Sequence, residues 1–169
     1  IAVIGGRCPA PAMPAAVRRP QVSAGVDYAD VMGQEAAKRA FVIAASGAHG
    51  MLMIGAPGCG KSMMAERMVT ILPPMTKQEQ MEVTKIYSVA GLLDDTLPWV
   101  EHRPFRRPHH SITKQALLGG GLLPRPGEFS LAHYGVLFLD ELGEFDGALL
   151  DSLRQPLEED KVTIARAQG

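Results

Sequence analysis

Two unbroken hydrophobic runs, Met51-Leu52-Met53-Ile54 and Val136-Leu137-Phe138-Leu139, interrupt a chain whose apolar positions otherwise recur at helical spacing. Each run fits a short strand buried on both faces, as in a parallel sheet. Apolar spacing through Ala37, Ala40, Phe41 and Ala44 predicts a helix from about Glu35 to Ser46. Met64, Met68, Val69 and Leu72 predict a second, from Ser62 to Leu72, stopped by Pro73-Pro74. Thr76 with Glu79 forms a capping box for a third, running to about Val89. Residues 111–118 predict a short helix ended by Gly119-Gly120-Gly121, and Leu122 to Ser130 reads as a projecting loop or hairpin. Asp146 to Glu159 predicts another helix, with Pro156 placed to break its last turn. Lys161 to Arg166 alternates as a short strand, whereas Gly91 to Pro108 shows no period. Pro9, Pro11, Pro14 and Pro20 make residues 1–26 a linker-like tail, leaving 27–169 as one core.

Strands alternating with helices predict an α/β fold: a doubly wound, mostly parallel sheet with helices on both faces. About eighty residues separate the two apolar runs. That distance leaves room for a further strand between them.

The chemistry of the chain sits at the ends of these two runs. Directly after the first comes Gly55-Ala56-Pro57-Gly58-Cys59-Gly60-Lys61-Ser62, which fits G-x-x-x-x-G-K-[ST]. Glycines there allow φ > 0 and close backbone approach, so that successive N–H groups can point at an anion. Lys61 adds a positive charge for the β- and γ-phosphates, and the Ser62 hydroxyl is suited to Mg²⁺. The helix that follows, through Met63, directs its positive dipole end at the same phosphates. Strand, glycine loop and helix is the order such a loop requires. After the second run comes Asp140-Glu141. An acidic pair at the C-terminal end of a core strand stands where open α/β sheets bind ligands. Asp140 is expected to hold Mg²⁺ opposite Ser62, and Glu141 to orient and activate the attacking water.

Composition narrows the setting. At 46% hydrophobic, 169 residues can bury a core, and no apolar run reaches the length of a membrane span. The net charge of −1 provides no global basic field for nucleic acid, so any basic surface is local. Cys8 and Cys59 are too few for a disulfide framework, which favours a cytoplasmic setting. The N-terminal residues lack the basic start and long apolar stretch of a secretion signal.

Several blocks together resemble one family: Asp30-Val31-Met32-Gly33-Gln34, the phosphate loop, Arg103-Pro104-Phe105-Arg106-Arg107-Pro108-His109-His110, Gly127-Glu128-Phe129-Ser130-Leu131-Ala132-His133, and Leu153-Arg154-Gln155-Pro156. The resemblance is to the magnesium-chelatase-like AAA+ ATPases of the ComM or YifB type, over about residues 27–167. It implies a P-loop AAA+ core in a motor that forms a hexameric ring and uses ATP and Mg²⁺, with Lys61 and Glu141 as catalytic residues. It implies that Val31, Met32, Gly33 and Gln34 line the adenine pocket. It also implies DNA as a partner, with helicase or branch-migration activity in transformation, and places Arg125 on an insert that approaches the pore. Sensor 1, the arginine finger and the helical lid are expected beyond Gly169, so that the sheet is incomplete on its C-terminal side.

Two further readings stay open. The same engine could drive metal insertion into a tetrapyrrole, or the chain could bind ATP as an interaction module with little turnover. His109 and His110 are neighbours whose side chains are expected to diverge, which favours a structural role over metal binding. Arg106 and Arg107 form a local basic patch, and the methionines at 51, 53, 63, 64 and 68 are expected to fill the core.

Overall fold

The parallel pairing of two short strands, Phe105–Arg106 (β1) and Val136–Leu137 (β4), organises the half of the molecule that carries the acidic pair. In a computed structural model of the chain, which describes residues 27–93, 98–121 and 124–159, Phe105 lies opposite Val136 and Arg106 opposite Leu137. The Val136 amide donates to Pro104 O and the Phe138 amide to Arg106 O, each at 2.8 Å. β1 is the strand for which the spacing between the two motifs left room. Its Phe105-Arg106 sequence gave no alternating signal because it is only two residues long and bounded by prolines.

The helices fall close to their predicted bounds. Helix α1 spans Glu35–Gly47, α2 Lys61–Ile71 and α3 Lys77–Ala90. The α3 capping box is present, with Thr76 accepting from the Glu79 amide and Glu79 accepting from the Thr76 amide. Helix α4 is Lys114–Leu118, capped by Thr113, and runs into strand β2, Gly119–Gly120. β2 pairs antiparallel with β3, Arg125–Pro126, so the projecting segment is a hairpin. Helix α5, Glu128–Leu131, leads back to β4, and α6 covers Gly147–Glu159. Pro156 lies inside α6 and does not end it. The proline removes only the ladder bond its N–H would have donated to residue 152, and the helix continues past it to Glu159.

Three small cores replace one large one. Tyr28, Val31, Phe41 and Met64 join the N-terminal turn to α1 and α2. Tyr28 also ties the two helices by hydrogen bonds, its amide to Thr70 Oγ1 at 3.2 Å and its hydroxyl to Lys38 O at 3.0 Å. Leu117, Phe145, Leu149 and Leu153 pack α4 against α6. Met75, Val83 and Val100 close the third, beside α3.

Two expectations about the sheet are corrected. Met51 to Ile54 is not a buried strand: it has no ladder partner among the described residues, and Leu52 and Ile54 are 68% and 89% exposed. An apolar run becomes a buried strand only when a flanking strand supplies its hydrogen bonds, and neither β1 nor β4 pairs with this run. The doubly wound sheet is correspondingly reduced, among the described residues, to one parallel pair and one hairpin. The strand over Lys161–Arg166 and the tail over 1–26 lie outside the described residues.

β1 and β4 can approach because residue 135 is glycine. A Cβ there would overlap the Pro104 carbonyl at the start of the ladder. Gly135→Ala is therefore expected to destabilise the fold by about 1–3 kcal/mol, the usual cost of overpacking. Urea unfolding measures this, and an unchanged midpoint would show that the pairing tolerates a wider strand spacing.

Candidate functional site

The glycine-rich loop joins Ile54 to α2 as a run of turns and bends, with Gly58 at φ 78° and Gly60 at φ 88°. Both are left-handed conformations that glycine adopts without penalty. Helices α3 and α4 are capped by Thr76 and Thr113, and the Ala148 amide bonds Asp146 ahead of α6. By contrast α2 starts from Gly60, with no side-chain cap. Its first-turn amides are left for an outside acceptor. Residues 55–59 are exposed, and Gly60, Lys61 and Ser62 are half-buried. The Lys61 ammonium folds back over the loop, donating to Gly55 O and Ala56 O at 2.8 Å each and standing 3.6 Å from Cys59 Sγ.

The β1–β4 pair delivers the second half of the site to this helix. Ser62 Oγ donates to Asp140 Oδ2 at 3.0 Å, joining residues 78 apart in sequence. The other Asp140 oxygen accepts from the Glu141 amide at 3.1 Å. Arg107, just past β1, donates to the same Asp140 Oδ2 at 2.5 Å and reaches Glu66 Oε1 on α2 at 3.2 Å. Its guanidinium carbon stands 5.6 Å from the centre of the Phe138 ring, within cation–π range. Burial raises the pKa of the Asp140 carboxyl, but the Ser62 hydroxyl, the Arg107 guanidinium and the Glu141 amide together hold it below its ordinary value. Asp140 is therefore a carboxylate at neutral pH.

Glu141 has φ 55°, a left-handed conformation costly for a residue with a side chain. Its carboxylate is largely exposed, and Oε2 lies 3.6 Å from His110 Nδ1. His109 and His110 do not diverge as expected. They sit in a turn, closed by Ile112 N–H to His109 O at 3.0 Å, which brings their ring centres within 4.0 Å. No group of three His, Cys, Asp or Glu side chains suited to a metal occurs among the described residues.

The remaining expected residues are spread out. Val31 is buried in the first core, Met32 is 88% exposed, and Gly33 and Gln34 turn the chain into α1 with φ of 67° and 59°. Arg125 is exposed on β3 and borders an open depression with Thr113, Gln115 and Gly120, apart from the glycine loop. Met64 is buried and Met53 and Met68 pack against it, but Met51 and Met63 are exposed, so the core-filling expectation fails for those two. Sequence reasoning read Arg107 as part of a basic patch that could bind phosphate and His110 as structural, and placed neither beside the acidic pair. Their signal was the Arg106-Arg107-Pro108-His109-His110 block, whose meaning depends on where β1 lies.

The chain is thus a mixed helix-and-sheet protein in which a glycine-rich loop, a helix start and a strand-end acidic pair converge. It belongs to the magnesium chelatase, subunit ChlI, family, matched over residues 27–169, and within it to the ComM and YifB type. It is 50% identical over 144 residues to "Competence protein ComM" of Haemophilus influenzae, covering 85% of this chain and 28% of that protein. It is 46% identical over 147 residues to YifB of Salmonella typhimurium, covering 87% of this chain and 29% of that protein. At 29% identity it matches the "Magnesium-chelatase 67 kDa subunit" of Heliobacterium mobile, covering 74% of this chain and 23% of that protein. The chain therefore spans less than a third of the length of these relatives. The family is of the AAA+ type, and no helix among the described residues is long and apolar enough to cross a membrane.

The site depends on β1 being held in place, and Arg106 does this. It forms a two-pronged pair with Glu128 at 2.6 and 2.7 Å, joining β1 to the start of α5. Glu128→Gln removes the charge from that pair, with an expected loss of about 1–2 kcal/mol for a partly exposed charge-assisted contact. Thermal unfolding checks it, and an unaltered Tm would remove Arg106 from the role of strand anchor.

Proposed function

We propose that the chain binds Mg·ATP at Gly55–Ser62 and serves as the nucleotide-hydrolysing core of a ring-forming AAA+ motor that acts on DNA. The observation that carries this is the 3.0 Å contact between Ser62 and Asp140, with Glu141 next in sequence. A hydroxyl at the start of the loop helix and a carboxylate at a strand end are hard oxygen donors. Such a pair, completed by phosphate oxygens and water, suits Mg²⁺. The bound ion would neutralise charge developing on the phosphates.

Each residue then has a stated task. The loop amides and the uncapped start of α2 cradle the phosphates. Lys61 would exchange its two carbonyl partners for phosphate oxygens, and Ser62 and Asp140 would hold the metal. Glu141, exposed beside the acidic strand end, orients the attacking water. Val31 to Gln34 form the base pocket, with Met63 flanking the loop. The similarity to a competence protein supports DNA as substrate, and a hexameric ring and a cytoplasmic setting accompany that reading. Arg125, exposed on the hairpin, is the proposed DNA contact.

Lys61→Ala is expected to weaken Mg·ATP binding about tenfold or more, the worth of its charge-assisted phosphate contacts. Isothermal calorimetry on the full chain measures this, and unchanged affinity would sink the phosphate-loop assignment. Glu141→Gln should leave that affinity intact while abolishing ATP turnover. For DNA, binding to a forked duplex should weaken steeply with salt, and Arg125→Ala should lower the log–log slope by about one. A complete lack of DNA binding at low salt would favour the metal-insertion reading, which the more distant chelatase relative represents.

A further inference from the structure

Arg107 occupies an unusual place for a surface arginine. It is not extended into solvent but bridges two carboxylates on different elements, Asp140 at the end of β4 and Glu66 on α2. Glu66 lies one helical turn beyond Ser62, so the guanidinium ties the first turns of α2 to the end of β4. The Asp140 oxygen that Arg107 engages is Oδ2, the atom that also accepts from Ser62. Without Arg107, Ser62, Glu66 and Asp140 would present a hydroxyl and two carboxylates with no compensating cation. That is a donor set for a hard divalent ion. With Arg107 in place, one of the two charges is neutralised and the oxygen nearest Ser62 is taken.

We propose that Arg107 is the resident counter-cation of the metal position. A divalent ion arriving with nucleotide exchanges with the guanidinium on Asp140 Oδ2, and Arg107 stays tethered through Glu66. This rests on the nucleotide reading above and adds to it a residue that sets how strongly metal and nucleotide depend on each other. Arg107 is a positioning residue: it keeps the two carboxylates from repelling and keeps the bare metal position from filling before nucleotide arrives. Its cost is competition with the metal, because a guanidinium on Asp140 Oδ2 repels a second cation there and offsets part of the charge that would attract it.

The readout is the ratio of nucleotide affinities with Mg²⁺ and with EDTA, measured on the full chain with a fluorescent ATP analogue. Arg107→Gln should raise this ratio about fivefold, the scale of one partly exposed ion pair. Affinity should rise in Mg²⁺ and fall or stay level in EDTA, where the guanidinium is the remaining cation beside the phosphates. A purely structural role would lower both affinities together and leave the ratio fixed, and that result overturns the proposal. If Arg107→Gln fails to fold by circular dichroism, Arg107→Lys carries the test. Its ammonium cannot span Asp140 and Glu66 at once, so the ratio should rise about twofold, and an unchanged ratio again overturns the proposal. Failure of the wild-type chain to bind the analogue in either buffer would instead refute the nucleotide reading, and this inference with it.

Discussion

The register of two short parallel strands decides where the charged groups of this molecule stand. Phe105 opposite Val136 and Arg106 opposite Leu137 put Arg107 level with the next residues of the acidic strand. From there its side chain reaches Asp140. A shift by one residue would turn alternate side chains to the other face and carry Arg107 away from Asp140. The register is fixed from both ends: by the close approach of Gly135 to Pro104, which only a residue without Cβ permits, and by Arg106 clamped to Glu128. A pairing of two residues is too short to hold register by its own hydrogen bonds, so these side constraints set it.

Around this frame the charged groups are each partnered at positions open to water. Lys61 is satisfied by two carbonyl oxygens of its own loop, Ser62 by Asp140, and Asp140 by Arg107. None is left bare, yet every one of these contacts is at a half-buried or exposed position where water can replace it. Partners of this kind contribute little net stability each. They can be given up without dismantling the fold. The three hydrophobic cores, centred on Phe41, Leu117 and Val83, lie elsewhere and do not have to rearrange.

Much of this was legible in the chain because it is written locally. The loop glycines, the uncapped start of α2, the Thr76–Glu79 box and the proline stop after α2 are each decided within a few residues. The meeting of Ser62 with Asp140 followed from recognising both motifs and placing them at strand ends. The positions of Arg107 and His110 beside the acidic pair were not legible, because they depend on which strand neighbours which, and β1 is too short to show a period. His109 and His110 show the same limit in small: their divergence was argued from helix or strand geometry, and a turn sets them face to face. The exposed run at 51–54 was misread for the opposite reason. Its composition is that of a buried strand, but composition states only what a segment can do when partners exist.

That exposed run has a consequence for the loop it feeds. A phosphate loop is rigid when the strand before it and the helix after it are both anchored. Here α2 is anchored through Tyr28, Phe41 and Met64, while Leu52 and Ile54 stand in solvent. Of the residues before the loop, Met53 alone packs against that core. The shape of residues 55–60 therefore rests on its downstream end and on the Lys61 ammonium, which ties the loop to the helix through Gly55 and Ala56. Lys61 is thus the strap of the loop, and order in this segment depends on which partners its ammonium holds.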